Sequence, residues 1–186
     1  YGSPLSDGQL LPLGDLSIRA IHTPGHTPES YSFVVEEEKG PVVIFTGDTM
    51  FVGEVGRTDL AGPDHRVELS RSLYHSIHNR ILPLGDSVLV FPAHGSGSVC
   101  GHSIAERELS TIGLEKRDNF ILSLDEESFI HYKLEEAMGS APYFKNMERL
   151  NMEGPSPVGA TTDIRALNPN ELANLQGDGA LILDIR

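Results

Sequence analysis

Residues 22–29 read HTPGHTPE, between the apolar runs LSIRAI (16–21) and SYSFVV (30–35). Two histidines four apart, among two prolines, a glycine and two threonines, suit neither a helix nor the interior of a strand. They suit a stiffened turn at a strand end, where an imidazole is held still for use. Working outward, LSIRAI predicts a strand fed by a hairpin at LGD (13–15). SYSFVVEE and VVIFTGD (42–48) predict two strands joined by the EKGP turn. The second is apolar on both faces, which places it in the middle of a sheet.

From Asp64 to Leu82 the period changes to that of a helix, with Val67, Leu69, Leu73, Ile77 and Ile81 near one face and Asp64 as a cap. DSVLVFPAHGSGS (86–98) predicts another buried strand running into a Gly/Ser-rich loop. Helices are expected over 102–117 and 125–138. MGSAPYFKNMERLNMEGPSPVG (138–159) reads as a connector rather than an element. LNPNELANL (167–175) then offers Asn168 as N-cap, Pro169 at the first helical position and Glu171 at the third. GALILDIR (179–186) predicts a new buried strand.

The chain has 186 residues, enough for one ordinary domain and part of another. Its 27 acidic residues against 14 basic ones leave a net charge of −13. That balance argues against nucleic acid or an anionic membrane surface as partner. A single cysteine, Cys100, allows no intrachain disulfide and fits a reducing compartment. No apolar run reaches the roughly 18 residues of a membrane span, and no secretory signal pattern opens the chain. A cytoplasmic protein is the expectation.

Three polar groups fall at equivalent places in this layout. His26 follows the first of the long strands, Asp48 ends the second apolar strand, and His94 ends the third within FPAHG (91–95). Strand ends share an edge of a sheet, and His, carboxylate and His make an N/O donor set suited to zinc, iron or manganese. The glycines at 25, 47 and 95 fit close backbone approach around an ion.

HTPGHT (22–27), FTGDTMF (45–51), GRTDL (56–60) and FPAHG, in this order, resemble the later motifs of the metallo-β-lactamase fold superfamily. GRTDL with LYHSIHNRILPLGDSVLVFPAH (73–94) is most similar to the persulfide dioxygenases of its glyoxalase II branch. The resemblance covers roughly residues 5–155, and 167–186 resembles the opening helix and strand of a rhodanese domain. It implies an α+β fold, the C-terminal part of a four-layer αββα sandwich over 1–155. The linker and the start of a truncated α/β rhodanese-like domain follow over 156–186.

By that resemblance His26 and Asp48 are metal ligands, and His94 matches the histidine that holds a second metal in two-metal hydrolases. Arg57 falls in the loop bordering the thiol-substrate pocket, where a cation would grip a carboxylate of glutathione. The cofactor implied is one Fe(II), with one or two Zn(II) as the alternative. The family's upstream H-x-H-x-D-H motif is absent, so the 186 residues are expected to be a piece of a longer protein. The function expected is oxidation of a thiol persulfide by O₂ to sulfite and thiol. Thioester hydrolysis at two metals is one alternative, and a catalytically incomplete piece that binds a partner is another. A half-sandwich exposes an apolar sheet face, so a homo-oligomer is expected.

Among the other candidates, His22 is read as a structural residue bonding the turn backbone, and His65, His75, His78, His102 and His131 as surface or packing residues. Asp59 reads as a salt-bridge or loop-capping residue rather than a base. Cys100 reads as a small buried thiol, or as a sulfur carrier whose pKa backbone donors would lower.

Overall fold

The computed structural model describes residues 4–101, 103–136, 143–155 and 166–183. The chain forms two compact units, residues 1–139 and 140–186. In the first unit, strands β1 (Leu10–Leu13), β2 (Leu16–His22), β3 (Tyr31–Glu37), β4 (Gly40–Gly47), β5 (Leu89–Pro92) and β6 (Ser110–Thr111) form one sheet in chain order. Every neighbouring pair is antiparallel except β4 with β5. The hairpin at 13–16 and the β3–β4 turn lie where the sequence predicts them, and β4 is central.

Alternation sorts the strand residues onto two faces. Ile21, Val34, Ile44 and Val90 point to the covered face, where helix α1 (Arg66–Ser76) lays Leu73 against them with Ile77 and Ile81 just beyond it. Helix α2 (Ile112–Asp118) adds Ile112, and helix α3 (Glu126–Glu135) adds Phe129. Each such fully buried side chain contributes about 1.5–3 kcal/mol through burial. The opposite face carries Phe33, Phe45 and Phe91 in register across β3, β4 and β5, and Phe45 is 47% exposed.

Several expectations shift. Helix α1 begins at Arg66 behind a tight turn at Pro63–His65, and no Asp64 side chain caps it. Val67 lies outside the packed stripe, 45% exposed. Ile77–Ile81 widens into a single π-helical turn, which keeps Ile77 and Ile81 on the core side. The helix expected over 102–117 is helical only from Ile112. The described residues before it run as loop into β6, where Ser110 pairs with Val90, and Thr111 caps α2 by accepting from Leu114 N–H at 3.1 Å. Residue 102 lies outside the described residues. Asp125 caps α3 as its acidic opening suggests.

In the second unit the expected connector contains a helix, α4 (Phe144–Glu153). Helix α5 (Pro169–Gly177) carries the full capping box: Asn168 accepts from the amides of Asn170 and Glu171, and Glu171 reaches back to Asn168 N–H. The strand expected over 179–186 is not formed among the described residues, where Leu181 is 96% exposed. The described residues of this unit contain no strand for that apolar run to pair with; residues 184–186 lie outside the described residues. No helix among the described residues is long and apolar enough to cross a membrane.

Candidate metal centre

Strands β2, β4 and β5 run in the same direction, because two antiparallel steps and one parallel step relate them. Their C-terminal ends therefore meet at one edge, and the loops that follow carry His26, Asp48, and His94 with Cys100. The histidine turn is stiff for identifiable reasons. Thr27 Oγ1 and Ser30 Oγ bond at 3.0 Å, Thr23 N–H donates to Ser30 O at 2.8 Å, and Ser76 on α1 donates to Pro24 O at 2.7 Å. Gly25 sits at φ 146° directly under α1, where a Cβ would lie 2.4 Å from Leu73 Cβ. His22 bonds Pro28 O through Nε2 at 2.8 Å, the turn-bracing role read from sequence.

His26 is 7% exposed, and its Nδ1 lies 3.0 Å from the carbonyl oxygen of Arg57. A carbonyl only accepts, so Nδ1 carries the proton and Nε2 keeps its lone pair for an ion. Burial pushes the His26 pKa down, against the pull of Asp48, so the ring stays neutral. Asp48 follows β4 at a sharp turn in which Thr46 Oγ1 donates to Met50 O at 2.6 Å. Gly56 crosses directly over it: a Cβ there would lie 2.0 Å from the Asp48 carbonyl oxygen and 3.3 Å from His26 Cβ. Close approach is thus required at Gly25 and Gly56, while Gly95 has open space around it.

Donor atoms of His26, Asp48 and Cys100 all lie within 4.8 Å of one another. Asp48 Oδ1 is buried and no donor is aligned on it, although His94 Nε2 approaches to 3.0 Å off the line of a hydrogen bond. A buried carboxylate oxygen without an aligned donor, facing a neutral imidazole lone pair and a thiol, is a donor set that fits a divalent metal. The expected trio of His26, Asp48 and His94 is brought together only in part. His94 touches Asp48 from the more open side, its side chain 41% exposed and its ring 6.2 Å from Phe51, and it stands outside the three-donor set.

Arg57 lies near these donors but does not point out of the site. It is 3% exposed, and its guanidinium grips Asp59 through Nε (2.6 Å) and Nη2 (2.7 Å) and donates from Nη1 to Val99 O (3.1 Å). Burial raises the Asp59 carboxyl, but its bonds to Arg57 outweigh that and hold it below the usual carboxylate range. The main chain of Arg57 braces both sides, accepting from His26 and donating from its amide to Cys100 O at 3.2 Å. In place of the expected grip on a ligand carboxylate, Arg57 is a brace whose fork is already filled.

Cys100 is the donor that sequence reading did not assign to the metal. Burial and the Asp48 charge raise its thiol pKa, outweighing the lowering by Ser98 of the same loop. Its loop is rich in glycine and serine, and spacing alone does not tell which of those residues turns toward the sheet edge.

The profile of the metallo-beta-lactamase superfamily matches residues 2–94. A hydroxyacylglutathione hydrolase, GloC of Haemophilus influenzae, is 36% identical over 117 residues, 63% of this chain and 46% of that protein. The mitochondrial persulfide dioxygenase ETHE1 of Bos taurus is 28% identical over 154 residues, 83% of this chain and 49% of that one. The crystal structure of a metallo-beta-lactamase from Staphylococcus aureus subsp. aureus COL superposes with a TM-score of 0.74 at 32% identity, over 88% of this chain and 48% of that one. The chain spans about half the length of the curated relatives it matches. The profile covers half of the 186 residues and includes His26, Asp48 and His94, so the chain belongs to the metallo-beta-lactamase superfamily.

Proposed function

We propose that the protein acts with a metal at the His26–Asp48 edge on a sulfur-bearing small molecule, and that its reaction is oxidation of a thiol persulfide. In balanced form, R–S–SH, O₂ and water give R–SH, sulfite and two protons. The observation that carries the metal-centre reading is the buried Asp48 Oδ1 without a donor, facing the free lone pair of His26. The choice of substrate is supported by the likeness to persulfide dioxygenases across 83% of the chain. When bound, Fe(II) supplies a site where sulfur and dioxygen meet. His26 and Asp48 hold that site on one side of the sheet edge, and Arg57 fixes the ring of His26 through its carbonyl. The exposed side chain of His94 is placed to accept a proton beside Asp48.

A second reading is thioester hydrolysis. The 36% identity to a hydroxyacylglutathione hydrolase and the 3.0 Å approach of His94 to Asp48, where a second ion would bind, favour it. The two separate cleanly. The full 186-residue chain, purified without oxygen and loaded with iron, is given glutathione persulfide in an oxygen electrode, then a hydroxyacyl-glutathione thioester. Oxygen uptake matched by sulfite is the expected result. Thioester cleavage without oxygen uptake replaces the first reading by the second, and silence with both substrates removes catalysis from this chain.

A further inference from the structure

We propose that Cys100 is a protein donor of the metal site, binding the ion as a thiolate beside His26 and Asp48. The inference rests on the reading that His26 and Asp48 hold a metal, and deepens it by naming a further donor.

Position is the first argument. Among the described residues, the group of metal-type side chains whose donor atoms lie mutually within 4.8 Å contains Cys100 and omits His94. In a tetrahedral zinc site sulfur and nitrogen ligands stand about 3.5 Å apart, from bonds of about 2.3 and 2.0 Å. The three donors thus need only a small closing motion to meet around an ion.

The second argument is how firmly the Cys100 loop is held. Arg57 binds it twice, by its amide to Cys100 O (3.2 Å) and by its guanidinium to Val99 O (3.1 Å). On the far side Gly101 packs so tightly that a Cβ would lie 2.8 Å from Ile104 Cγ1, and Ser103 N–H donates to the buried Glu54 at 3.2 Å. Ala105 N–H then donates to Val52 O at 3.0 Å. The same residue, Arg57, orients His26 and anchors Cys100, so two donors share one brace. A loop with no role at the site needs no such coupling to a donor histidine.

Charge is the third argument. A neutral imidazole, a carboxylate and a thiolate together carry two negative charges and neutralise a divalent ion. With His94 in place of Cys100 a net positive charge would remain in a half-buried site. The mixed N/O/S set suits ions of borderline softness, zinc, cobalt(II) and iron(II), over magnesium or calcium.

Cobalt(II) tests this directly, because a thiolate ligand adds an intense charge-transfer band in the near ultraviolet. The whole chain, stripped with a chelator and titrated anaerobically with cobalt(II), is expected to bind one ion and to show that band. Cys100→Ser is expected to lose the band and bind cobalt at least tenfold more weakly, with an unchanged far-ultraviolet dichroism spectrum. His94→Gln is expected to keep the band. Cobalt bound by the wild type without the band, or at full affinity by C100S, overturns the assignment of Cys100. Asp48→Ala distinguishes the underlying reading. If D48A abolishes binding while C100S changes nothing, the metal centre stands and the thiolate falls. If D48A binds cobalt as the wild type does, or if the wild type binds none, the centre itself is refuted.

Discussion

Two charged clusters adjoin the loop from Asp48 to Arg57, a lower one around Glu54 and an upper one around Asp48 and Arg57, and they are built on opposite plans. In the lower one Lys133, 1% exposed, is paired with the side chain of Glu136, which is 7% exposed. Glu54 nearby is 1% exposed and accepts from the amides of Val55 (2.9 Å) and Ser103 (3.2 Å). Arg66 closes the base by donating to the carbonyls of Lys133 (2.7 Å) and Glu136 (3.3 Å). One oxygen there, Glu136 Oε1, has no donor, but the other is held by an ammonium. In the upper cluster the nearest cation, Arg57, is committed to Asp59, and no donor is aligned on Asp48 Oδ1, with His94 Nε2 3.0 Å away off the line of a hydrogen bond. The protein brings its own counter-charge where the role is to hold the loop, and omits it at the edge where the proposed function would seat an ion.

The largest effect that tests this contrast is on folding. Lys133→Met leaves Glu136 and Glu54 buried without their ammonium, and is expected to lower stability by about 3–5 kcal/mol. Urea unfolding measures it, and a loss below about 1 kcal/mol would mean the lower cluster is not self-neutralising. Next is the response to metal. At a zinc concentration of about 100 times Kd the wild type is expected to gain about 2.7 kcal/mol, and Asp48→Ala nothing. Thermal unfolding with and without chelator reads both. A gain in D48A equal to that of the wild type would move the ion elsewhere.

Much of the frame was legible because it rests on local patterns. The alternation in 16–21 and 30–37, the Gly-Pro turn and the unbroken apolar run of β4 are the physics of strands with one covered face. His26 and Asp48 were readable for the same reason, since each follows a strand whose end the pattern marks. What escaped depends on contacts distant in sequence. The loop before β6 has helical composition, yet Glu54 and Val52, some fifty residues earlier, capture its amides at Ser103 and Ala105. Helix α4 lies hidden between prolines and glycines that read as a connector. The sequence offers Arg57 as a grip for a ligand carboxylate although its partner stands two residues on, because spacing does not show which way a fork points. The Cys100 thiol meets Asp48 only through the fold.

A smaller effect is expected where the clusters touch. Arg57→Lys keeps the positive charge and the backbone bonds but loses the two-pronged grip on Asp59. That should cost about 1.5 kcal/mol in urea unfolding and weaken cobalt binding about tenfold, as loss of a ligand's support does. Wild-type cobalt affinity in R57K would show that the brace serves folding alone and would separate the two clusters.

The smallest effect concerns pH, and its sign follows from the lower cluster. Burial raises the Glu54 pKa above its ordinary 4.5, against the lowering by its amide bond from Val55 and by Lys133, with Glu136 adding to the rise. Between about pH 4.5 and that raised value the unfolded chain has released the Glu54 proton while the folded chain keeps it. Stability contributed by this group is therefore complete below pH 4.5 and is lost as pH rises through the folded pKa, with a slope of at most about 1.4 kcal/mol per pH unit. Glu54→Gln removes the proton from the account. Its amide also faces one of the two donors that Glu54 satisfies, which displaces the whole stability curve without tilting it. The quantity to measure is thus the difference in unfolding free energy between E54Q and wild type, in urea across pH 4 to 7, and it should rise with pH. A flat difference would mean that Lys133 already neutralises Glu54 as fully as it does Glu136, and that the lower cluster carries no strain from its second carboxylate.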